Sequence, residues 1–216
     1  MRFTKDMFEK AIAKAKAQAK KRNFLESVDL TVNFRNVDFK KPENRIDLKV
    51  VLPKGRGKPV KIAAITDKAL ATELKKENIV DKIISKEELQ GLDKKAVKKL
   101  AKEFDFFIAE PAVMPLVGRI MGPVLGPRKK MPIVVPPNVR AIKSTVENLR
   151  NTVVITNKKG KPLPTVHAPI GVVTMNDADL AENAMAVLRA ITGKVNEQNI
   201  RSVYVKTTMG PSVRVI

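Results

Sequence analysis

The pattern of hydrophobic residues changes along the chain, and its first form returns after an interruption. Residues 28–34 and 46–52 alternate apolar and polar side chains, which is typical of half-buried strands. From 59 to 150, short apolar runs alternate with helical patterns, which indicates a parallel α/β arrangement. From 151 onwards the alternating strands reappear. We therefore predict one domain built from both ends of the chain and a second domain inserted into it.

The predicted discontinuous domain comprises residues 1–58 and 151–216 and belongs to the α+β class. We expect an antiparallel sheet with two helices, one from each segment of the chain. The strands at 28–34 and 46–52 are expected to pair with each other, because only a polar connection separates them.

The predicted inserted domain comprises residues 59–150. Its alternating strands and helices predict a three-layer, Rossmann-like α/β domain around a parallel sheet. Because the chain must pass twice between the domains, hinges are expected near 53–59 and 150–152. The first of these holds two glycines between two prolines, a composition typical of linkers.

Charge limits the class of partner. The 216 residues include 42 Lys+Arg and 22 Asp+Glu, a formal net charge of +20. Such an excess indicates a polyanionic partner, and it favours nucleic acid over an anionic membrane surface. Residues 1–58 and 151–216 together hold 24 basic and 11 acidic residues, a net +13, whereas 59–150 carries +7. We therefore expect the discontinuous domain to make the main contact.

The sequence gives no sign of secretion or of membrane insertion. It has no cysteine, so neither a disulfide nor a cysteine-based metal site is expected. Its longest weakly charged stretch, residues 111–127, is interrupted by prolines and glycines and is too short to span a bilayer. No apolar signal core follows the first methionine. We expect a soluble, cytoplasmic protein that does not associate with membranes.

The sequence lacks the signatures of a catalytic site. His167 is the single histidine, with no cysteine or second histidine to complete a nucleophile–base pair or a zinc set. The glycine-rich segment 118–130 has no Lys-Ser/Thr at phosphate-loop spacing. We expect no enzyme activity, no cofactor and no metal. The residues alone leave two alternatives open: a nucleotide- or sugar-phosphate-binding enzyme, and a non-specific nucleic-acid-coating protein.

The last long strand has side chains suited to RNA. Ser202, Tyr204, Lys206 and Thr208 alternate with mostly apolar residues, so they share one face. Their hydroxyls and the amine can bond ribose hydroxyls and phosphates. Gly210 would allow another backbone to approach closely. An ordinary solvated strand face would show the same pattern.

The basic segment 20–24 joins the first helix to the first strand. Arg22 could neutralise a phosphate, and Phe24 could pack against a sugar or a base. A helix C-terminus with favourable charges and a core phenylalanine would have the same sequence.

Four segments together resemble one family. They are MGPVLGPR at 121–128, VHAPIG at 166–171, RSVY at 201–204 and TTMGP at 207–211. Over essentially its whole length the chain is similar to the L-one family of large-subunit ribosomal stalk proteins. It looks more like the archaeal branch than the bacterial one.

The resemblance implies a structural ribosomal protein without enzyme activity. Members bind a folded segment of large-subunit rRNA and form a mobile stalk near the tRNA exit site, where they assist the release of deacylated tRNA. Many also repress translation by binding their own mRNA. The implied partners are therefore the ribosome, large-subunit rRNA, the protein's own mRNA and exit-site tRNA, with a monomer when free.

The resemblance also implies which residues touch RNA, and it assigns them to the discontinuous domain. Arg22 stands in for a basic residue that the family often has where this chain has Asn23. Tyr204 and Lys206 are added from the strand pattern. The full set of candidate RNA-binding residues is Arg22, Phe24, Glu26, Ser27, His167, Gly171, Ser202, Tyr204, Lys206, Thr208, Met209 and Gly210.

Overall fold

The computed structural model describes residues 3–157 and 162–215. Contacts within the chain group into two compact units. The outer unit consists of the residues up to Lys58 and those from Asn151 onwards, and the inserted unit is Pro59–Arg150. In the described ranges, no helix combines the length and the apolar character needed to cross a membrane. Within the same ranges, no three His, Cys, Asp or Glu side chains are grouped so that they could hold a metal ion.

Helices and strands are numbered in chain order. The first segment of the outer unit contains α1 (Lys5–Gln18), β1 (Ser27–Phe34), a 3₁₀ turn (Pro42–Asn44) and β2 (Asp47–Val51). The inserted unit contains β3 (Ile62–Thr66), α2 (Lys68–Glu77), β4 (Lys82–Ser85), α3 (Lys86–Gln90), α4 (Lys94–Glu103), β5 (Phe106–Ala109), α5 (Met114–Ile120), α6 (Gly122–Leu125), β6 (Ile133–Val134) and α7 (Val139–Arg150). The second outer segment contains β7 (Thr152–Thr156), β8 (Thr165–Val172), α8 (Asp177–Thr192), a 3₁₀ turn (Glu197–Asn199), β9 (Ile200–Thr207) and β10 (Val213–Arg214).

The main sheet of the outer unit is antiparallel, with strand order β10-β9-β1-β8. Burial alternates strictly along β1, and its buried residues join the apolar faces of α1 and α8 in one core. Phe8 and Ile12 of α1 and Leu188 of α8 are fully buried there. The expected antiparallel sheet with helices is confirmed, and the helices cover only one of its faces.

The expected pairing of 28–34 with 46–52 is wrong. Strand β1 pairs with β8 and β9, while β2 pairs with β7 in a separate two-stranded sheet. The connection between β1 and β2 is longer than the two to five residues of a tight hairpin, so chain proximity does not enforce their pairing. Both edges of β1 are instead taken by strands from the second segment.

The inserted unit is built on a parallel sheet with strand order β4-β3-β5-β6, which confirms the expected α/β class. All five residues of β3 are buried. Ala63 and Ile65 belong to one apolar cluster and Ile62 and Ala64 to another. A central parallel strand covered on both faces explains why its sequence is a continuous apolar run.

A buried asparagine ties three parts of the outer unit together. The Asn183 side chain of α8 accepts a hydrogen bond from the Lys54 backbone N–H (3.0 Å) and donates to the carbonyls of Gly55 (3.0 Å) and Ile170 (2.8 Å). It thereby fixes residues 54–55 and β8 to the same helix. Part of the segment at 53–59, where a hinge was expected, is therefore anchored within the outer unit.

Replacing Asn183 with alanine is expected to lower the free energy of unfolding by about 2–4 kcal/mol, because buried backbone groups lose their partners. Asn176 provides a matched control. It precedes α8 at the N-cap position, is exposed and makes no side-chain cap bond. Asn176→Ala should therefore change stability by less than about 0.5 kcal/mol. Urea denaturation of both variants, followed by circular dichroism, tests this; equal effects would contradict the assigned role of Asn183.

Candidate nucleic-acid interface

The main sheet of the outer unit has an open face, opposite α1 and α8, which carries polar side chains from all four strands. Thr31 of β1 pairs with His167 of β8 on one side and with Tyr204 of β9 on the other. Arg214 of β10 pairs with Tyr204 and extends the row. Directly paired residues project to the same face. His167 is exposed, and its Nδ1 lies 3.0 Å from the Thr31 hydroxyl.

Further rows of the open face lie to either side. Towards one end, Ser202 pairs with Asn33 and accepts a hydrogen bond from its side-chain amide (3.1 Å). Towards the other end, Lys206 pairs with Asp29. The structure thus brings Ser202, Tyr204 and Lys206 to one surface, together with His167.

Asp29 places a carboxylate in this otherwise cationic setting. Burial raises the pKa of its carboxyl group above the ordinary value, while the charges of Lys206, His167 and Lys58 act in the opposite direction. The net shift is upward, so the neighbouring cations only partly offset the loss of solvation.

At one end of the face, the start of β1 and the end of β9 form a tight cluster, which we call the strand-end cluster (Glu26, Ser27, Thr208, Met209 and Gly210). The Thr208 hydroxyl accepts a hydrogen bond from the Ser27 N–H (3.0 Å) and also lies 3.3 Å from the Ser27 carbonyl, to which it donates. The Thr208 N–H donates to the same carbonyl (3.0 Å). The hydroxyl is therefore engaged within the protein, and one of its lone pairs remains for a ligand.

Glu26 holds the next residue of the cluster in place. Its carboxylate accepts a hydrogen bond from the Met209 N–H (2.8 Å), and the residue is only 7% exposed. Glu26 therefore shapes the strand-end cluster from beneath. It does not offer a free carboxylate at the surface.

Gly171 and Gly210 both occupy positions where a side chain would clash, but only Gly210 lies in the strand-end cluster. A Cβ atom on Gly210 would overlap the buried Thr207 hydroxyl oxygen. Gly171 is buried, and a Cβ atom there would approach the Leu180 side chain to 2.5 Å and the Met175 sulfur to 2.7 Å. The structure therefore gives Gly171 a packing role, since a side chain there would displace Leu180 or Met175.

Exposed apolar side chains adjoin the strand-end cluster. Phe24 is 54% exposed, Leu25 42% and Met209 61%. Phe24 and Leu25 directly precede Glu26, which bonds Met209. Arg22 is exposed in the same connecting segment. The structure thus excludes the alternative that Phe24 is a core residue.

Three cations that sequence reasoning missed also lie on this side of the unit. Lys58 donates a hydrogen bond from its Nζ to the Ser27 hydroxyl (2.8 Å). Arg214 is exposed in the central row, and Arg201 is exposed beside Ser202. The alternation of Val213 and Arg214 was visible in the sequence, but their pairing with β9 was not. Lys58 lies in the segment 53–59 that the sequence predicts to be a linker, so its contact with Ser27 could not be predicted.

The raised pKa of Asp29 predicts a pH-dependent effect on stability. In the native state, the charged carboxylate is disfavoured at neutral pH, so Asp29→Asn should raise the melting temperature at pH 7. As pH falls through the raised native pKa towards the ordinary value of about 4, wild type gains protons in the folded state and the difference should close. Thermal melts across this pH range measure the effect.

Asp6 serves as a control for this experiment. It is an exposed carboxylate in the first turn of α1, where it interacts favourably with the helix dipole. Asp6→Asn should therefore not raise the melting temperature. A difference between Asp29→Asn and wild type that stays constant with pH would show that desolvation of the charge is not its cause.

Comparisons with known proteins show the family to which the chain belongs. A sequence profile described as the ribosomal protein L1p/L10e family matches residues 13–211. The chain is 51% identical to the large ribosomal subunit protein uL1 of Pyrococcus horikoshii, with 100% of the chain and 98% of that protein covered. It is 50% identical to uL1 of Thermococcus kodakarensis (100% and 99% covered) and 48% identical to uL1 of Methanothermobacter thermautotrophicus (95% and 97% covered).

These matches settle two sequence-based expectations. The resemblance to the archaeal branch is confirmed, because the three relatives are archaeal proteins. The expectation of a non-enzymatic protein is confirmed, because the family and its members are named as ribosomal proteins. With a profile match over most of its length and relatives at about half identity, the chain belongs to the ribosomal protein L1p/L10e family.

Proposed function

We propose that this protein is a structural component of the large ribosomal subunit that binds a folded segment of large-subunit rRNA through its outer unit. The observation that carries the proposal is the strand-end cluster. There, Thr208 and Met209 are locked to Ser27 and Glu26 by hydrogen bonds, next to exposed Phe24. A preformed surface of hydroxyls and backbone suits an RNA that is itself folded.

Charge supports the same unit as the contact. The outer unit holds 24 basic and 11 acidic residues. On its open face, Arg214 lies in the central row, Lys206 lies in the row beside it, and Lys58 reaches the strand-end cluster. These cations would neutralise phosphates, while the hydroxyls of the open face would meet ribose 2′-hydroxyls.

The aromatic content favours a structured RNA over a single strand. The chain has one tyrosine, no tryptophan and eight phenylalanines. Single-strand platforms stack successive bases on several exposed aromatic rings. Of the described phenylalanines, only Phe24 is strongly exposed, so the outer unit cannot stack a run of bases.

The proposal includes three finer functions. The protein forms a mobile stalk near the tRNA exit site, it assists the release of deacylated tRNA, and it represses translation of its own mRNA. The free protein is proposed to be a monomer. The inserted unit is proposed to be a three-layer, Rossmann-like domain, which the apolar clusters on both sides of β3 support.

The chain passes between the two units twice, near Lys58 and near Arg150. We propose both crossings as hinges, because only these two connections of the chain join the units.

A lysine-rich helix of the inserted unit supports the tRNA contact. Helix α4 buries Val97, Leu100 and Ala101 and exposes five lysines, namely Lys94, Lys95, Lys98, Lys99 and Lys102. In the described part of the chain, none of the five forms an ion pair. Like charges at these spacings destabilise a helix, and lysines in its first turn oppose the dipole. Charge interactions within the helix therefore do not favour five lysines, whereas a bound polyanion would.

The rRNA proposal is tested by removing the Thr208 hydroxyl. Thr208→Val should weaken binding to large-subunit rRNA by about 1–3 kcal/mol, because an RNA group buried against the Thr208 hydroxyl is left unpaired. Thr208→Ser keeps the hydroxyl and should bind like wild type. Filter binding against an arbitrary hairpin of equal length measures specificity. Wild-type affinity in Thr208→Val would contradict the proposal.

The same variants test repression through the messenger. If one surface binds both RNAs, Thr208→Val should lose affinity for the 5′ region of its own mRNA in parallel with rRNA, and the two RNAs should compete. An mRNA affinity that survives in Thr208→Val while rRNA affinity falls would separate the two functions.

The tRNA proposal is tested on α4. Replacing Lys95, Lys98 and Lys102 with glutamine should slow the release of deacylated tRNA from ribosomes carrying the variant, since a cationic contact is lost. A control with Lys75, Lys76 and Lys143 replaced removes the same charge from other exposed positions of the inserted unit. Both variants should keep wild-type rRNA affinity. Equal release rates in the two variants would overturn the role of α4.

A further inference from the structure

The open face has a second feature, at the end opposite the strand-end cluster. A shallow depression of about 230 Å³ lies there, lined among others by Asn33, Pro164, Thr165, Arg201, Ser202 and Tyr204. Asn33 is six residues along β1 from Ser27, or about 20 Å at the rise of a strand. The depression is smaller than the roughly 300–1,000 Å³ of sites for drug-sized ligands. Its size suits the base of one nucleotide, with the sugar and the phosphate at its rim.

The floor of the depression is a chain of polar side chains. The Asn33 amide donates to the Ser202 hydroxyl (3.1 Å), and its side-chain oxygen accepts from the Thr165 hydroxyl (3.0 Å). Ser202 is only 8% exposed, so its oxygen is held firmly. Because Ser202 accepts from Asn33, its own hydrogen is left to donate, and the Asn33 amide has a second N–H. The floor thus presents donors in fixed positions.

A β-bulge directs Arg201 to the depression. In the ladder between β1 and β9, Asn33 pairs with Ser202 but Phe34 pairs with Ile200, so Arg201 has no partner residue. The extra residue shifts the alternation, which puts Ile200 in the core and leaves Arg201 exposed beside Ser202. Bulges re-aim side chains in this way at functional sites. In the described residues, Arg201 has no ion-pair partner.

We propose that this depression binds a single unstacked nucleotide of the RNA held by the outer unit, an inference that rests on the proposed function. Arg201 bonds the phosphate, and the half-buried Tyr204 ring packs against the base. The Asn33–Ser202 pair donates to the base edge or the ribose. Continuity with the strand-end cluster along one sheet face favours a nucleotide of the same RNA.

The experiment compares Arg201→Gln with wild type in the full chain. The probe is the large-subunit rRNA segment that wild type protects from hydroxyl radicals. Arg201→Gln should weaken binding and reduce the slope of log affinity against log salt by about one. Protection should be lost at one or two nucleotides that Thr208→Val leaves protected. Arg189→Gln, an exposed arginine of α8 on the helical side, is the matched control and should change nothing.

Tyr204 gives a second readout. Tyr204→Leu should weaken binding by roughly 5- to 100-fold through lost stacking, whereas Tyr204→Phe should keep most of the affinity. If Tyr204→Leu lowers the melting temperature, its lower affinity could reflect unfolding. The test then rests on Arg201→Gln alone, because Arg201 is exposed.

The outcomes separate the two proposals. If wild type prefers the rRNA segment over an arbitrary hairpin but Arg201→Gln keeps the wild-type affinity, salt slope and footprint, this inference is overturned and the proposed function stands. If wild type shows no such preference, the proposed function fails, and this inference fails with it.

Discussion

Strand β1 takes both of its neighbours from the far end of the chain, and the rest of the outer unit depends on that pairing. Its hydrogen-bonded partners in β8 and β9 lie more than 130 residues away, and the inserted unit lies between them in sequence. Bringing such distant segments together costs loop-closure entropy, which grows only slowly with length. The alternating apolar residues of β1, β8 and β9 offset that cost by closing one core over α1 and α8.

The same pairing creates the surface on the other side of the sheet. Because paired residues share a face, each buried contact beneath β1 sets the position of a polar side chain above it. Thr208 continues the ladder past the end of β9 by bonding to Ser27, and the Met209 N–H donates to the Glu26 carboxylate. The backbones of Thr208 and Met209 are thus held by the folding of the unit itself, and binding need not order them. Preorganisation of this kind lowers the entropic cost of association.

The sequence predicted the parts of this surface that follow from local pattern. The alternation in β1 and β9 showed which residues share a face, and the change of pattern at 59 and 151 indicated an insertion. Strand partners could not be predicted in the same way: β2 was expected beside β1 because only a polar connection separates them in sequence. Strand pairing is decided by how the segments pack in the core. The distance between two strands in the sequence does not show whether they pair. The bulge at Arg201 is a further case, since a one-residue shift reverses which face every later side chain occupies.

Asparagines show the same limit at the level of single side chains. Asn176 precedes a helix and matches the N-cap preference, yet its side chain makes no cap bond. Asn183 lies in a helix interior, where asparagine is a poor helix former, and it bonds three backbone groups from two other segments.

A polar residue that is unfavourable for its own helix, as Asn183 is, indicates a tertiary bond that must repay the cost. The same reasoning applies to two other features. The like charges of the α4 lysines repel one another, and burial disfavours the charged form of Asp29. Asn183 has its compensating partner within the fold. The described residues provide no ion-pair partner for the exposed α4 lysines, and the polyanion proposed to bind there would be one.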